Sequence, residues 1–142
     1  MREIRGFVEI DAAAGAVWNE LTDFGSYSTW NSFITKMDGT VKEGEVFAVN
    51  VVPPGRKENR FRSKLIKVDH GRRLEFHGSI KPGILRDVHV FVVEPLNDRR
   101  TKLYQSIVFR GLATSMVGST IDDCQKGLDA MNAAFKRRCE GQ

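Results

Sequence analysis

The sequence predicts an α+β domain in which a curved, seven-stranded antiparallel sheet wraps around a long C-terminal helix, with two short helices after the first strand. Three observations carry that expectation. Turn residues recur at roughly ten-residue intervals from Ile34 to Phe109, and the runs between them alternate apolar and polar side chains. A final stripe, Val117, Ile121, Cys124, Leu128, Met131 and Phe135, repeats at spacings of four and three, the signature of an amphipathic helix of about 25 residues.

Taken in order, Ile4, Gly6, Val8 and Ile10 alternate with Arg5, Phe7 and Glu9 as a first strand requires. Ala12 to Thr22 reads as a helix through Val17, Trp18 and Leu21. Phe24, Tyr27 and Trp30 follow at spacings of three and predict a short second helix. Asp23 is the expected N-cap of that helix, its carboxylate accepting exposed amide hydrogens.

The meander is punctuated by Asp38-Gly39, Glu43-Gly44, Pro53-Pro54-Gly55, His70-Gly71, Lys81-Pro82-Gly83 and Asn97-Asp98. Between them Phe47, Val49 and Val51 share one face. Phe61, Ser63 and Leu65 oppose Arg60, Arg62 and Lys64, and Leu74, Phe76 and Gly78 oppose Glu75, His77 and Ser79, so one sheet face is apolar and the other polar. In the last helix Gly127 interrupts the stripe at a cost of about 1 kcal/mol relative to Ala, which a close approach, foremost by a strand, would explain.

The 142 residues suit one domain, and 41% hydrophobic against 28% charged residues is a globular balance. Charges interrupt the N-terminal MREIRGFVEI, so neither a signal peptide nor a membrane span is drawn, and a cytoplasmic location without stable membrane insertion is expected. Cys124 and Cys139, about 22 Å apart on one helix, read as free thiols, Cys124 as a small core residue. Residues 56–73 carry +6 of a net charge of +4, leaving −2 elsewhere. That window reads as a solvated outer face, since no aromatics interleave for base stacking, and no nucleic acid partner is expected. His70, His77 and His89 lack metal-site spacing, Gly111 to Gly118 lacks the lysine and Gly-x-Gly pattern of a phosphate loop, and no serine sits in a nucleophile elbow. No metal or cofactor is implied.

The order of elements and several short motifs resemble the START-like superfamily, in which Bet v 1-type proteins, lipid-transfer START domains and bacterial polyketide cyclase/dehydrase-like (SRPBCC) proteins fall. The motifs are Val17-Trp18, Leu21-Thr22-Asp23-Phe24, Tyr27 and Trp30-Asn31; Gly71-Arg72-Arg73-Leu74-Glu75-Phe76; Pro82-Gly83-Ile84-Leu85, His89-Val90-Phe91 and Glu94-Pro95-Leu96; then Thr101, Leu103, Phe109 and Gly111-Leu112. The resemblance spans the chain and is closest to the bacterial polyketide cyclase-like group. It implies a helix-grip fold and a cavity for a small hydrophobic, lipid-like or aromatic molecule. Many relatives carry an acid two residues before the phenylalanine matched by Phe109; this chain has Ile107, which removes an acid–base candidate.

With the concave face taken from the resemblance, the inward residues are Phe47, Val49, Val51, Phe61, Leu74, Phe76, His89, Phe91, Val93, Leu103, Gln105, Ile107 and Phe109. Those expected at a ligand are Phe47, Val49, Phe61, Phe76, His89, Phe91, Gln105, Ile107 and Phe109, with Val117, Ile121, Leu128 and Met131 closing from the helix and Trp30 at the mouth. Each apolar member reads equally as packed core. His89 and Gln105 are the polar pair, His89 expected neutral and facing away from His77. The functional expectation is a binding module for a small hydrophobic ligand. The alternative is a polyketide cyclase or dehydratase with His89 as acid–base and Gln105 as orienting donor.

Overall fold

In the computed structural model, residues 1–81 and 83–141 are described, Lys81 by its backbone alone. The expected turn at Lys81-Pro82-Gly83 therefore falls partly outside the described residues. Seven antiparallel strands, β1 (Arg2–Ile10), β2 (Ile34–Asp38), β3 (Val46–Val51), β4 (Asn59–Asp69), β5 (Arg73–Lys81), β6 (Leu85–Asn97) and β7 (Arg100–Arg110), form one sheet in the order β1-β7-β6-β5-β4-β3-β2. The meander from β2 to β7 is sequential, and β1 joins its far side against β7. Breaks in register between Leu65 and Lys67, and between Ser79 and Lys81, bend the long strands.

Helices α1 (Ala14–Thr22) and α2 (Tyr27–Trp30) follow β1, and α3 (Gly118–Cys139) ends the chain. The α1 helix starts two residues later than expected. Ala13 keeps an extended backbone, and Asp11 N–H is still held by Glu140 Oε2 at 2.7 Å. Asp23 is not a side-chain N-cap: it also ends α1, and it is the Asp23 carbonyl that accepts the Ser26 N–H and hydroxyl. The segment it opens is a 3₁₀ turn, Phe24–Ser26, leading into the single turn of α2. Phe24 and Tyr27 are buried as the spacing predicted.

The long helix has 22 residues, and its stripe faces the sheet: Ile121, Cys124, Leu128, Met131 and Phe135 are buried. Val117 lies just outside it, half-buried in a 3₁₀ turn, Thr114–Val117. Polar bonds hold α3 along β1, with Arg2 Nη2 2.7 Å from Asp122 Oδ1, Gln125 Nε2 donating to the Arg5 carbonyl at 3.1 Å, and Lys136 Nζ donating to that of Glu9 at 3.1 Å. Gly127 accommodates a side chain rather than a strand. A Cβ there would overlap the ring of Phe33, which precedes β2 and is held by an Asx turn in which Asn31 Oδ1 accepts the N–H groups of Phe33 and Ile34.

Arg60, Arg62 and Lys64 point to solvent while Ser63 and Leu65 are buried and Phe61 is half-buried, the register expected for β4. Cys124 and Cys139 are free thiols. No described helix is long and apolar enough to cross a membrane.

Candidate functional site

A helix tied along β1 at one edge of a curved sheet cannot fill the concavity over the middle strands. The space left, about 250 Å³, lies under the N-terminal half of α3. Phe33, Ile34 and Met37 bound it from the β2 side, and Val49, Val51, Phe61, Ser63 and Phe76 from β3, β4 and β5. Leu85, Asp87, His89 and Phe91 on β6, Ile107 and Phe109 on β7, Val117, Thr120, Ile121 and Cys124 from the last turn and helix, and Pro53, Asn59 and Ile80 complete the wall. The lining is mostly apolar with a few convergent polar groups, the usual character of a small-molecule site.

Among the residues expected at a ligand, Val49, Phe61, Phe76, His89, Phe91, Ile107, Phe109, Val117 and Ile121 line this space. Trp30, Phe47, Gln105, Leu128 and Met131 do not. Trp30 is not at the mouth, because the single turn of α2 carries it to the far end of α3, where its ring lies 5.1 Å from Tyr27 and 5.4 Å from Phe135. Phe47 is covered by Phe24, 5.9 Å away, and packs on Phe76 at 5.7 Å. Leu128 and Met131 lie beyond Phe33, whose ring lines the cavity and abuts Gly127, and both are fully buried. Leu128 stands about 10 Å along the helix axis from Ile121.

Gln105 is one residue removed from the space, inside a buried chain of hydrogen bonds. His89 Nε2 lies 2.9 Å from Gln105 Oε1, and Gln105 Nε2 donates to Asn132 Oδ1 on α3 at 2.6 Å. With the amide oxygen facing the imidazole, Nε2 carries the proton and Nδ1 is left as an acceptor to which no described group donates. Burial pushes the His89 pKa down to about 4, so the ring is neutral at pH 7. It stacks on Phe91 with centroids 4.3 Å apart. His77 faces outward, 2.8 Å from Glu75 Oε2.

Asp87 was not anticipated. Two residues before His89 on the same face of β6, it is nine-tenths buried, and its Oδ1 has no hydrogen-bond partner among the described residues. Its seat is the missing side chain of Gly78 on β5: a Cβ there would overlap Asp87 Oδ1 and stand 2.9 Å from Phe61 Cε2. Desolvation raises the carboxyl pKa to about 7, only partly offset by the nearby amides of Gly78 and Asp87 and by His77. On the adjacent strand, β7, the Cα partner of Asp87 is Phe109.

At the mouth, Arg56 Nε lies 2.7 Å from Asp123 Oδ2, and Arg56 Nη2 lies 3.2 Å from Ser119 Oγ, tying the loop after β3 to α3. The Cys124 thiol at the wall is pushed up to about 11 by burial, and so remains a thiol rather than a nucleophilic thiolate. Among the described residues no cluster of three or more His, Cys, Asp or Glu could hold a metal ion.

A curled antiparallel sheet closed by one long helix around an apolar cavity defines the helix-grip class. Residues 1–140 match the family described as polyketide cyclase/dehydrase and lipid transport, and the chain belongs to that family. Norcoclaurine synthase from Thalictrum flavum superposes with a TM-score of 0.72 at 18% identity, covering 97% of this chain and 93% of the other. The Zhui aromatase/cyclase from Streptomyces sp. R1128 gives 0.67 at 18%, covering 96% and 94%. A hypothetical protein from Helicobacter pylori gives 0.81 at 12%, covering 97% and 88%. At such identities the likeness is one of fold. Comparison with curated proteins gives no match.

Proposed function

We propose that the chain binds a small hydrophobic molecule in the cavity between the curved sheet and the N-terminal half of α3. The observation that carries this reading is the cavity itself. A domain interior is normally close-packed, and an apolar space of about 250 Å³ ringed by Phe33, Phe61, Phe76, Phe91 and Phe109 leaves those rings without contacts that a ligand would restore. The family description, which joins cyclases with lipid transport, supports the same coarse role.

A second reading, acid–base cyclisation or dehydration of a polyketide-like substrate, is favoured by one observation. Asp87 holds a carboxyl with a pKa of about 7 against the same space as a neutral imidazole, a pairing able to give and take a proton near neutral pH. In that reading Asp87 is the acid–base group, and Gln105, committed to His89 and Asn132, is a positioning residue rather than a donor to substrate.

The test is a titration with 1-naphthylamine, a two-ring fluorophore neutral at pH 7, against the wild type and Thr120→Phe, which places a ring in the mouth. Saturable one-to-one binding that the substitution weakens tenfold or more supports the proposal. No saturable binding, or binding indifferent to Thr120→Phe, overturns it.

A further inference from the structure

The proposed binding role leaves the ligand's chemistry open, and the cavity wall narrows it. Asn59, Ser63 and Thr120 are polar groups on other elements of the wall, but two of its polar side chains stand together on β6. Asp87 and His89 occupy alternate positions of β6, so their side chains leave the strand on one face about 7 Å apart. Each is short of a partner. His89 has given its Nε2 proton to the chain through Gln105 to Asn132 and keeps Nδ1 as an acceptor, while Asp87 sits in the recess over Gly78 with Oδ1 unpartnered. A buried carboxyl oxygen left in the condition of Asp87 Oδ1 costs free energy that a complementary ligand group removes.

A group that satisfies both must donate to the imidazole and also meet a carboxyl that is neutral for part of the time. A cationic amine can donate to both but can accept from neither. A ketone accepts but cannot donate to Nδ1. A hydroxyl does both, and one oxygen hydrogen-bonded to each side, its two bonds about 110° apart, spans about 4.6 Å, a separation that side chains leaning together from a 7 Å base can present. Volume sets the remainder. A cavity of about 150 Å³ takes up benzene, so about 250 Å³ suits one or two rings and is too short for an extended acyl chain.

We propose that the ligand is a compact aromatic alcohol or phenol of one or two rings, whose hydroxyl lies between the Asp87 carboxyl and His89 Nδ1 while its rings pack on Phe61, Phe91 and Phe109. This rests on the binding role proposed above, and its test separates the two.

The experiment displaces 1-naphthylamine with 2-naphthol or with 2-methylnaphthalene, which replaces the hydroxyl by a methyl of similar size. The expected result is that 2-naphthol binds the wild type about tenfold or more tightly than its methyl analogue. That preference should fall toward unity in Asp87→Leu and, separately, in His89→Phe, both close in shape to the residues they replace, while 2-methylnaphthalene still binds. The wild-type comparison requires no variant to fold. Equal displacement by the two compounds overturns the hydroxyl inference and leaves the apolar-binding role standing. Failure of both to displace a bound fluorophore overturns the assignment of a compact aromatic ligand. Failure of the fluorophore itself to bind removes the role and the inference together.

Discussion

The ring of Phe33 rests against the backbone of Gly127, with Cε1 only 2.8 Å from where a glycine Cβ would stand. This contact closes the inner end of the cavity and accounts for a glycine in the middle of α3. Gly127→Ala should destabilise the protein by about 1–3 kcal/mol through overpacking, in spite of a helix-propensity gain of about 1 kcal/mol. In a Phe33→Ala background the same substitution should become neutral or stabilising, which denaturant midpoints around the double-mutant cycle will show.

Asp87 and His89 should leave opposing marks on stability against pH. His89 has a folded pKa of about 4, below its unfolded value of 6.5, so the unfolded chain binds more protons and stability falls as pH drops from 6.5 to 4. Asp87, raised from 3.8 to about 7, does the reverse: its contribution is fully present below 3.8 and lost as pH rises through 7. The two slopes nearly cancel between pH 4 and 6.5. Asp87→Asn should therefore uncover a rise in stability with pH over that window, and His89→Phe a fall. Thermal denaturation of both variants beside the wild type checks each sign.

Packing and lining residues on the same helical stripe should respond differently to truncation. Leu128 is fully buried in the core beyond Phe33, whereas Ile121 borders space that already exists. Leu128→Ala should cost about 2–5 kcal/mol, and Ile121→Ala less, since fewer contacts are lost where the wall is already open. Urea midpoints rank the pair.

Arg56 joins the loop after β3 to α3 across the mouth through Asp123 and Ser119. The Arg56 and Asp123 side chains are 37% and 25% exposed, so solvent screens the pair and Arg56→Ala should leave the denaturation midpoint nearly unchanged. It should instead speed fluorophore entry and release several-fold in stopped-flow traces while leaving affinity nearly unchanged.

The architecture was legible because periodicity reports burial directly. Alternation in β4 to β7 and the 4-3 stripe of α3 depend only on which face meets the core. The extent of the cavity was not, because Ile121 at the wall and Leu128 in the core occupy equivalent stripe positions, and only the Phe33–Gly127 contact divides them. Phe33 itself sits in a patternless stretch before β2. Asp87 was within reach, since it shares parity with His89, but its burial depends on an absent side chain at Gly78, a cross-strand fact that no reading along β6 reveals. Asn132 falls between the stripe positions Met131 and Phe135, so the spacing passes over it.

Binding requires that a small apolar molecule enter the space under the N-terminal half of α3. Methyl-detected NMR during titration with 1-naphthylamine tests it most directly. The Ile34, Ile107 and Ile121 methyl groups at the wall should shift progressively to saturation, while those of Ile10, buried away from the cavity, and of exposed Ile66 stay fixed. Shifts confined to Ile66 or other surface methyl groups, with Ile107 and Ile121 unmoved, would contradict it.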